Sequence, residues 1–502
     1  MGTLDKVKGL VENPPKEYRS APFWGWNDRL QKENLGEQIE GFKKAGMGGF
    51  FIHSREGLET EYLSTEWMED VKFCVDKARE NDLELWIYDE DKWPSGAAGG
   101  KVSRVNPAEF TARALTMECG KAGELAVPAK LSNEEERTVT GDSDSIMCGG
   151  NRSTDENFMS GRNGSEDLAV EETMETEFLQ GVYVIQTAAD GRFIKRMKEY
   201  LTYEEAAEAC GVDEEILLLR QEISGKSEWY NGLMPPDNLN PESVKTFLKL
   251  THEHYEEVFG GSFPKEVKGF FTDEPNCCDF FSVFHEGRPW IPWSIGFTEY
   301  FIEKRGYDPQ EKLPYLFFDG EGAEKIRHDY WKTVAQRFEE SYMKQVYEWC
   351  DKRGLRTTGH ILYENDLGYQ TRVCGAAMPQ LRYLHNPGID LLGAQTDEYL
   401  TVKQCASVAH QYERSMTISE AYGCTGWELD FSTQKWLGDW QFALGITRRC
   451  QHLALYSITG CRKRDYPPVF NYQNTWWDDN DKMENYFGRL ALCLSQGEPV
   501  RK

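Results

Sequence analysis

The stretch Gly269-Phe270-Phe271-Thr272-Asp273-Glu274-Pro275-Asn276 is an apolar run that ends in two carboxylic acids. A short run of aromatic and β-branched residues predicts a buried strand, and the acids that follow it predict a polar rim at the strand's carboxyl end. The same pattern recurs in Phe50-Phe51-Ile52-His53-Ser54-Arg55 and in Thr417-Ile418-Ser419-Glu420-Ala421-Tyr422. The repetition predicts a parallel sheet whose strands deliver polar residues to one common edge.

Eight such runs alternate with segments of helical period, as in consecutive β–α units. The predicted strands are Pro22 to Trp26, Gly49 to His53, Leu83 to Tyr88, Lys268 to Thr272, Leu355 to Gly359, Ile389 to Leu392, Met416 to Ser419 and Leu453 to Ile458. We predict an α/β fold, a closed (β/α)8 barrel of the TIM type, because closure removes the exposed edges of an eight-stranded sheet. The chain lacks a Gly-rich dinucleotide-binding motif, which favours the barrel over a doubly wound sheet.

The chain of 502 residues is too long for a plain barrel, and residues 95–235 lose the helix–strand alternation. Phe110 to Glu118 and Phe178 to Thr187 are typical of strands in a small antiparallel subdomain. The acidic, polar composition of residues 132–177 predicts a mobile loop. We therefore predict a first barrel part at residues 14–94, an inserted subdomain at 95–235 and a second barrel part at 236–502.

Composition excludes several classes of function. The 84 acidic and 57 basic residues give a net charge of −27, which repels nucleic acids and anionic membranes. The sequence contains neither a Walker loop nor a Gly-x-Ser-x-Gly turn, so phosphate and acyl-serine chemistry are disfavoured. The 13 cysteines form no C-x-x-C pair, and no apolar leader or membrane-spanning stretch is seen. We expect a cytoplasmic protein, and the sequence leaves its oligomeric state open.

Glu274 and Glu420 are the strongest catalytic candidates, because each follows an apolar strand and a barrel brings strand ends to one pocket. Paired carboxylic acids on either side of a bond are what acetal cleavage requires. One acid must keep its proton to protonate the leaving oxygen, and the other must be ionised to activate water or attack carbon. This pattern predicts a glycosidase.

Tryptophans accompany the acids at the strand ends. Trp93 and Trp427 lie just beyond strands, beside Pro or Gly, and are candidate platforms for a sugar ring. A zinc site is disfavoured, because no H-x-H or H-E-x-x-H motif occurs at a strand end.

Several motifs together resemble the catalytic barrel of the α-L-rhamnosidase-like glycoside hydrolases, family 106 and its uncharacterised relatives. The resemblance runs from about Pro14 to about Leu494 and is carried by the segments 22–27 (PFWGWN), 49–53 (GFFIH), 88–96 (YDEDKWPSG), 271–275 (FTDEP), 358–360 (TGH) and 463–468 (KRDYPP). It implies a (β/α)8 barrel that hydrolyses a terminal deoxysugar glycoside with inversion, often with a bound calcium ion. Members of this family usually continue past the barrel into β-sandwich domains.

Carried onto this sequence, the resemblance places the general acid on Glu274 and the general base on Glu420. The expected carbohydrate-binding residues are His53, Arg55, Asp89, Asp91, Trp93, Asp273, His360, Glu364 and Trp427. For Asp89 and Asp91 the alternative is a salt bridge to a rim arginine such as Arg55.

Three alternatives remain open at this point. A retaining barrel glycosidase would use Glu420 as a nucleophile, and the gap between the two carboxyl groups distinguishes retention from inversion. A glycan-binding barrel would keep the fold without turnover. A lyase or isomerase would use His360 as a base.

Overall fold

The computed structural model describes residues 3–125, 177–277 and 288–496. The described strands, in chain order, are β1 Phe23–Trp26, β2 Gly49–Ser54, β3 Glu84–Tyr88, β4 Arg113–Gly120, β5 Glu177–Thr187, β6 Ile194–Tyr200, β7 Glu215–Ile223, β8 Val267–Thr272, β9 Trp290–Trp293, β10 Arg356–Gly359, β11 Asn386–Leu391, β12 Ile418–Ala421, β13 Arg448–Gln451 and β14 Ala454–Leu455. The described α-helices are α1 Thr3–Glu12, α2 Lys32–Lys44, α3 Thr65–Glu80, α4 Lys101–Val105, α5 Pro107–Phe110, α6 Tyr203–Ala209, α7 Pro241–Leu248, α8 His254–Phe259, α9 Phe297–Arg305, α10 Ala323–Phe338, α11 Lys344–Asp351, α12 Leu367–Cys374, α13 Ala377–Leu381, α14 Tyr399–Gln411, α15 Phe431–Leu444 and α16 Asn480–Leu494.

Nine parallel strands form a nearly closed barrel in the order β13-β12-β11-β10-β8-β3-β2-β1-β14. The first and last strands of this sheet, β13 and β14, are separated in the chain only by His452 and Leu453. β13 pairs with β12, and β14 pairs with β1. The two ends of the sheet therefore meet at one point of the chain, and the carboxyl ends of all nine strands lie on one side.

The last predicted strand, Leu453 to Ile458, contains β14, but the sequence interpretation missed β13. The structure has β13 at Arg448–Gln451 and the two-residue β14 after it. β13 contains two arginines and does not look apolar, yet both are buried because each has a carboxylate partner. Arg448 pairs with Glu84 at 2.8 Å and Arg449 with Glu484 at 2.6 Å.

The barrel interior is filled with aromatic rings below the polar rim. Phe23 contacts Phe271 edge to face, with ring centroids 4.7 Å apart, and also packs on Phe51. Helices cover the outside: α3 begins after Ser64, whose hydroxyl accepts the Trp67 N–H. This helix buries Trp67, Val71 and Cys74. Within the described residues, no helix is both long and apolar enough to cross a bilayer.

A separate antiparallel sheet has the order β6-β5-β7-β4-β9. Four of its strands come from residues 95–235, and β9 follows the barrel strand β8. The sheet therefore recruits a strand from outside the predicted insertion, and the predicted domain limits remain a prediction. The predicted acidic loop lies outside the described residues from 132 to 176.

The buried pair of Arg449 and Glu484 generates a stability prediction. Glu484 also accepts hydrogen bonds from the Ser20 backbone and hydroxyl and from Gln451, and it is fully buried. Glu484→Gln leaves the Arg449 cation buried without its counter-charge, so we expect a loss of about 3–5 kcal/mol in the free energy of unfolding. Chemical denaturation measures this loss.

Glu242→Gln is the matched control, because the pair of Glu242 with Lys245 is more than half exposed. We expect it to cost less than about 1 kcal/mol. Equal costs for the two variants would contradict the role of the buried pair.

Candidate active site

The polar rim is concentrated on four neighbouring strands, β12, β11, β10 and β8. Asp273 and Glu274 follow β8, and His360 follows β10. Asp390 and Glu420 are partners in the register of β11 and β12. Because the four strands are adjacent and parallel, these side chains come together at one end of the barrel.

The centre of the cluster is an ion pair between His360 and Asp273. His360 Nε2 lies 2.8 Å from Asp273 Oδ1, and the Tyr88 hydroxyl donates to Asp273 Oδ2 at 2.5 Å. The Tyr88 ring stacks on His53, with centroids 3.6 Å apart. All four side chains are buried, so the imidazole is held from below by strands β3 and β8.

Glu274 and Glu420 both lie next to the His360 ring. Glu420 Oε2 is 3.8 Å from His360 Nδ1, and Glu420 Oε1 is 3.8 Å from His452 Nε2. A carboxylate oxygen of Glu274 lies within 4.8 Å of a His360 nitrogen and of an Asp390 oxygen. Two acids that are distant in sequence therefore share one imidazole as a neighbour.

Three polar atoms of this cluster are buried and have no hydrogen-bond partner among the described residues: His360 Nδ1, Glu420 Oε2 and Asp390 Oδ1. Buried polar atoms are nearly always paired, so such a group requires hydroxyls or water from outside the chain. Glu274 and Asp390 are partly exposed, whereas His360 and Glu420 are buried, so a ligand reaches the cluster from the side of Glu274. A sugar hydroxyl, which both donates and accepts, suits this mixture.

The electrostatics keep protons on the carboxyl groups. Burial and the nearby charge of Asp273 raise the pKa of Glu274 well above its usual range. Burial and the charges of Asp390 and Asp273 do the same to the pKa of Glu420. Burial lowers the pKa of His360, but the charge and hydrogen bond of Asp273 outweigh it, and the pKa lies well above its ordinary value. The imidazole is therefore a cation at neutral pH.

The predicted residues of the second and third strand ends are hydrogen-bonded within the protein. Asp89 accepts from the Ser95 hydroxyl at 2.6 Å, and Asp91 accepts from the Ser54 hydroxyl at 2.6 Å. Neither acid pairs with Arg55, which instead binds Asp465 with two nitrogens.

The two predicted tryptophan platforms differ in their surroundings. The Arg55 guanidinium lies over the ring of Trp93, 4.8 Å from its centroid. Trp427 is 39% exposed, and its indole N–H donates to the Lys463 carbonyl at 3.1 Å. Thus His53, Asp273, His360 and Glu364 lie with the two glutamates, whereas Trp427 lies on the outer rim.

Sequence reasoning missed Asp390 and His452. Asp390 stands inside the apolar run Ile389-Asp390-Leu391-Leu392, and a lone acid within a predicted strand was a usable signal. His452 directly follows β13. Because the sequence interpretation missed this strand, it did not show that His452 stands at a strand end.

Calcium, which the resemblance implies, does not fit the donors around His360. Two groups bring three donor atoms within 4.8 Å of one another, one with Asp273 and Glu420 and one with Glu274 and Asp390, and both depend on His360. Calcium takes oxygen ligands, and one nitrogen of this imidazole already faces Asp273.

The raised pKa of Glu364 generates a pH prediction. Burial raises the pKa of Glu364 to about 8, with His360 opposing the shift. Its proton is kept by the folded chain and lost by the unfolded chain between about pH 5 and pH 8, so it lowers stability as pH rises in this window. Glu364→Gln removes this titration. As the pH rises through this window, we therefore expect the free energy of unfolding of the variant, relative to that of the wild type, to increase by about 1 kcal/mol per pH unit in denaturation experiments. Parallel pH curves would contradict the prediction.

Comparisons with known proteins relate the chain to glycosidases. The sequence model of glycoside hydrolase family 106, described as alpha-L-rhamnosidase, matches residues 236–502. A curated protein of Formosa agariphila named "Putative beta-glucuronidase" is 22% identical over 523 residues. That alignment covers 99% of this chain but 42% of the relative, so the chain spans less than half of the relative's length.

A solved rhamnosidase structure from Novosphingobium sp. PP1Y superposes with a TM-score of 0.64 at 15% identity. The superposition covers 98% of this chain and 61% of that chain, which shows a shared fold. Since the family model matches just over half of its residues, and the predicted resemblance is thereby confirmed, this chain belongs to glycoside hydrolase family 106, the alpha-L-rhamnosidase family.

Proposed function

We propose that this chain hydrolyses the glycosidic bond of a terminal, neutral, rhamnose-like sugar, with Glu274 as general acid and Glu420 as general base. The observation that carries the proposal is the convergence of both glutamates on the His360 imidazole at the carboxyl end of the barrel. Family membership supports the reaction class. The unpaired buried atoms beside the two acids supply positions for sugar hydroxyls.

The surroundings of the two glutamates support the division of roles. Glu420 has two imidazoles at 3.8 Å, and one of them, His360, is cationic. Asp273 and Asp390 raise the pKa of both glutamates and His360 lowers it for both, but among the described ion pairs only Glu420 approaches an imidazole as closely as 3.8 Å. In a coupled pair the first group to ionise raises the pKa of the other. Glu420 therefore ionises first, and Glu274 keeps its proton.

The reaction then balances with water as the only co-substrate. Glu274 gives its proton to the glycosidic oxygen as the bond from that oxygen to the anomeric carbon breaks. A water molecule attacks the anomeric carbon from the opposite face, and Glu420 takes the proton that this water loses. Glu420 later returns its proton to solvent and Glu274 regains one. We propose inversion at the anomeric carbon because the family resemblance implies it and because this assignment of roles leaves Glu420 to activate water.

In this proposal the acid and base stand at the carboxyl end of a closed, eight-stranded barrel. We take β13 and β14 to be two parts of one strand interrupted at His452, which makes the barrel eightfold. On this count, His452 stands at the interruption of the eighth strand and faces Glu420. The interruption would therefore serve to place a second imidazole beside the base.

The absence of an unpaired arginine among the described residues of the pocket favours a neutral sugar over a uronic acid. Five carboxyl groups surround His360. Arg55, which contacts His53, is neutralised by Asp465. A uronate carboxylate would therefore meet acids and no unpaired guanidinium among the described residues of this cluster.

Removing either acid tests the catalytic pair. We expect Glu274→Gln and Glu420→Gln each to lower kcat/KM on aryl glycosides of neutral deoxysugars by at least about 100-fold, because each removes a proton-transfer step. Unchanged melting temperatures would show that the fold is retained. On the wild type, proton NMR of the first-formed anomer reports inversion or retention.

Glu428→Gln is the matched control, because Glu428 is exposed on the loop that follows β12. We expect it to leave turnover unchanged. Full activity in both Glu274→Gln and Glu420→Gln would refute the proposed function, and a retained anomer would refute inversion alone.

The charge argument has its own test. We expect the wild type to turn over an aryl rhamnoside with a kcat/KM at least about 10-fold above that for the matching aryl glucuronide, a difference of about 1.4 kcal/mol. Asp465→Asn frees the Arg55 cation, so it should raise the glucuronide-to-rhamnoside ratio of kcat/KM. A glucuronide preference in the wild type would show that the substrate class is wrong.

A further inference from the structure

Glu90 is a fully buried carboxylate that the proposed reaction does not use. It directly follows Asp89 at the end of β3 and is 0% exposed. Five backbone N–H groups donate to it, those of Asp91, Gly96, Ala97, Ala98 and Gly99, at distances of 2.6–3.1 Å. Both oxygens are saturated, so Glu90 has no capacity to bind substrate.

The loop closes around Glu90 as loops close around bound anions. Ala98 and Gly99 have positive φ angles of 52° and 66°, which turn successive N–H groups toward one point. Such concave sets of amides bind phosphate and other anions in many proteins. In this chain the group that accepts these N–H hydrogen bonds is Glu90, a side chain of the loop itself.

The same loop is hydrogen-bonded to the backbone of Asp273, the residue before the proposed acid Glu274. The Ser95 N–H donates to the Asp273 carbonyl at 2.8 Å, and the Asp273 N–H donates to the Ser95 hydroxyl at 2.8 Å. The Ser95 hydroxyl in turn donates to Asp89 at 2.6 Å. Asp273 immediately precedes Glu274, whose φ of 46° is in the left-handed region that side chains rarely adopt. The strained backbone of Glu274 is therefore fixed from one side by Ser95.

We propose that Glu90 is a positioning residue that, by gathering the amides of residues 96–99, holds Ser95 against Asp273 and so fixes the proton-donating carboxyl of Glu274. The inference rests on the proposed function of Glu274. It assigns a role to Glu90, whose oxygens are occupied by backbone N–H groups.

The isosteric change Glu90→Gln tests this role. One oxygen accepts three N–H groups and the other accepts two. An amide in either orientation therefore points its NH2 group at two or more donors. The loop must then open, and a misplacement near 1 Å is enough to cost about 100-fold in rate.

The decisive readout is the dependence on the leaving group. Aryl glycosides whose phenol is a good leaving group need little protonation, whereas poor leaving groups need the acid. We expect Glu90→Gln to lower kcat about 10- to 100-fold on poor leaving groups and much less on activated ones, with the same trend as Glu274→Gln. A general loss of folded protein would lower the apparent kcat by the same factor on every substrate.

Glu61→Gln is the matched control, because exposed Glu61 pairs with Lys101 at the end of the same loop. We expect it to behave as the wild type. If Glu90→Gln does not fold, Ser95→Ala decides, since it removes the hydroxyl that binds Asp273 and Asp89, keeps the backbone contact to Asp273, and should show the same leaving-group trend.

A folded Glu90→Gln with wild-type rates, or with an equal loss on all leaving groups, overturns the positioning role. If instead Glu274→Gln itself shows no dependence on the leaving group, the proposed function fails and the two failures are distinguished.

Discussion

The ion pair of His360 with Asp273 is the interaction on which the polar end of the barrel depends. Several carboxyl groups are gathered above an aromatic interior, where an unpaired charge costs several kcal/mol. The chain meets this cost in two ways. It places one cationic imidazole among the acids, and it leaves protons on the others: the pKa of Asp390, for example, is raised by burial to about 7. A site that holds both a cation and protonated carboxyls is suited to acid and base chemistry at one pH.

The support of this site comes from strands that contribute no catalytic group. Tyr88 on β3 holds Asp273 from below, and the loop that follows β3 holds its backbone from the side. The loop is ordered by a carboxylate that its own amides surround. Precise placement of reacting groups requires such supporting contacts, because the first layer alone tolerates movement.

Much of this arrangement could be predicted from the sequence, because a barrel strand that ends in acids has a distinctive pattern. Glu274, Glu420 and His360 were found in this way. The prediction failed where charged residues are buried inside a strand. β13 was missed because Arg448 and Arg449 are charged, and a polar pattern in the sequence predicts exposed residues. Their partners Glu84 and Glu484 are distant in sequence, so the sequence does not show that the charges are paired. Sequence also could not show that Arg55 pairs with Asp465 and not with Asp89 or Asp91, since that choice depends on the loop after β14.

The separation between chemistry and selectivity follows from the same topology. The proposed acid and base come from β8 and β12, whereas Arg55 follows β2 and its partner Asp465 lies beyond β14. Loops of a barrel vary independently of the strands that they follow, so one frame supports different sugars. Loss of the acid that neutralises this arginine would free a cation in the second layer of the pocket and leave the two glutamates in place. We therefore expect that a substitution in the loop after β14 is enough to change the preference between neutral and charged sugars, although this loop is distant in sequence from Glu274.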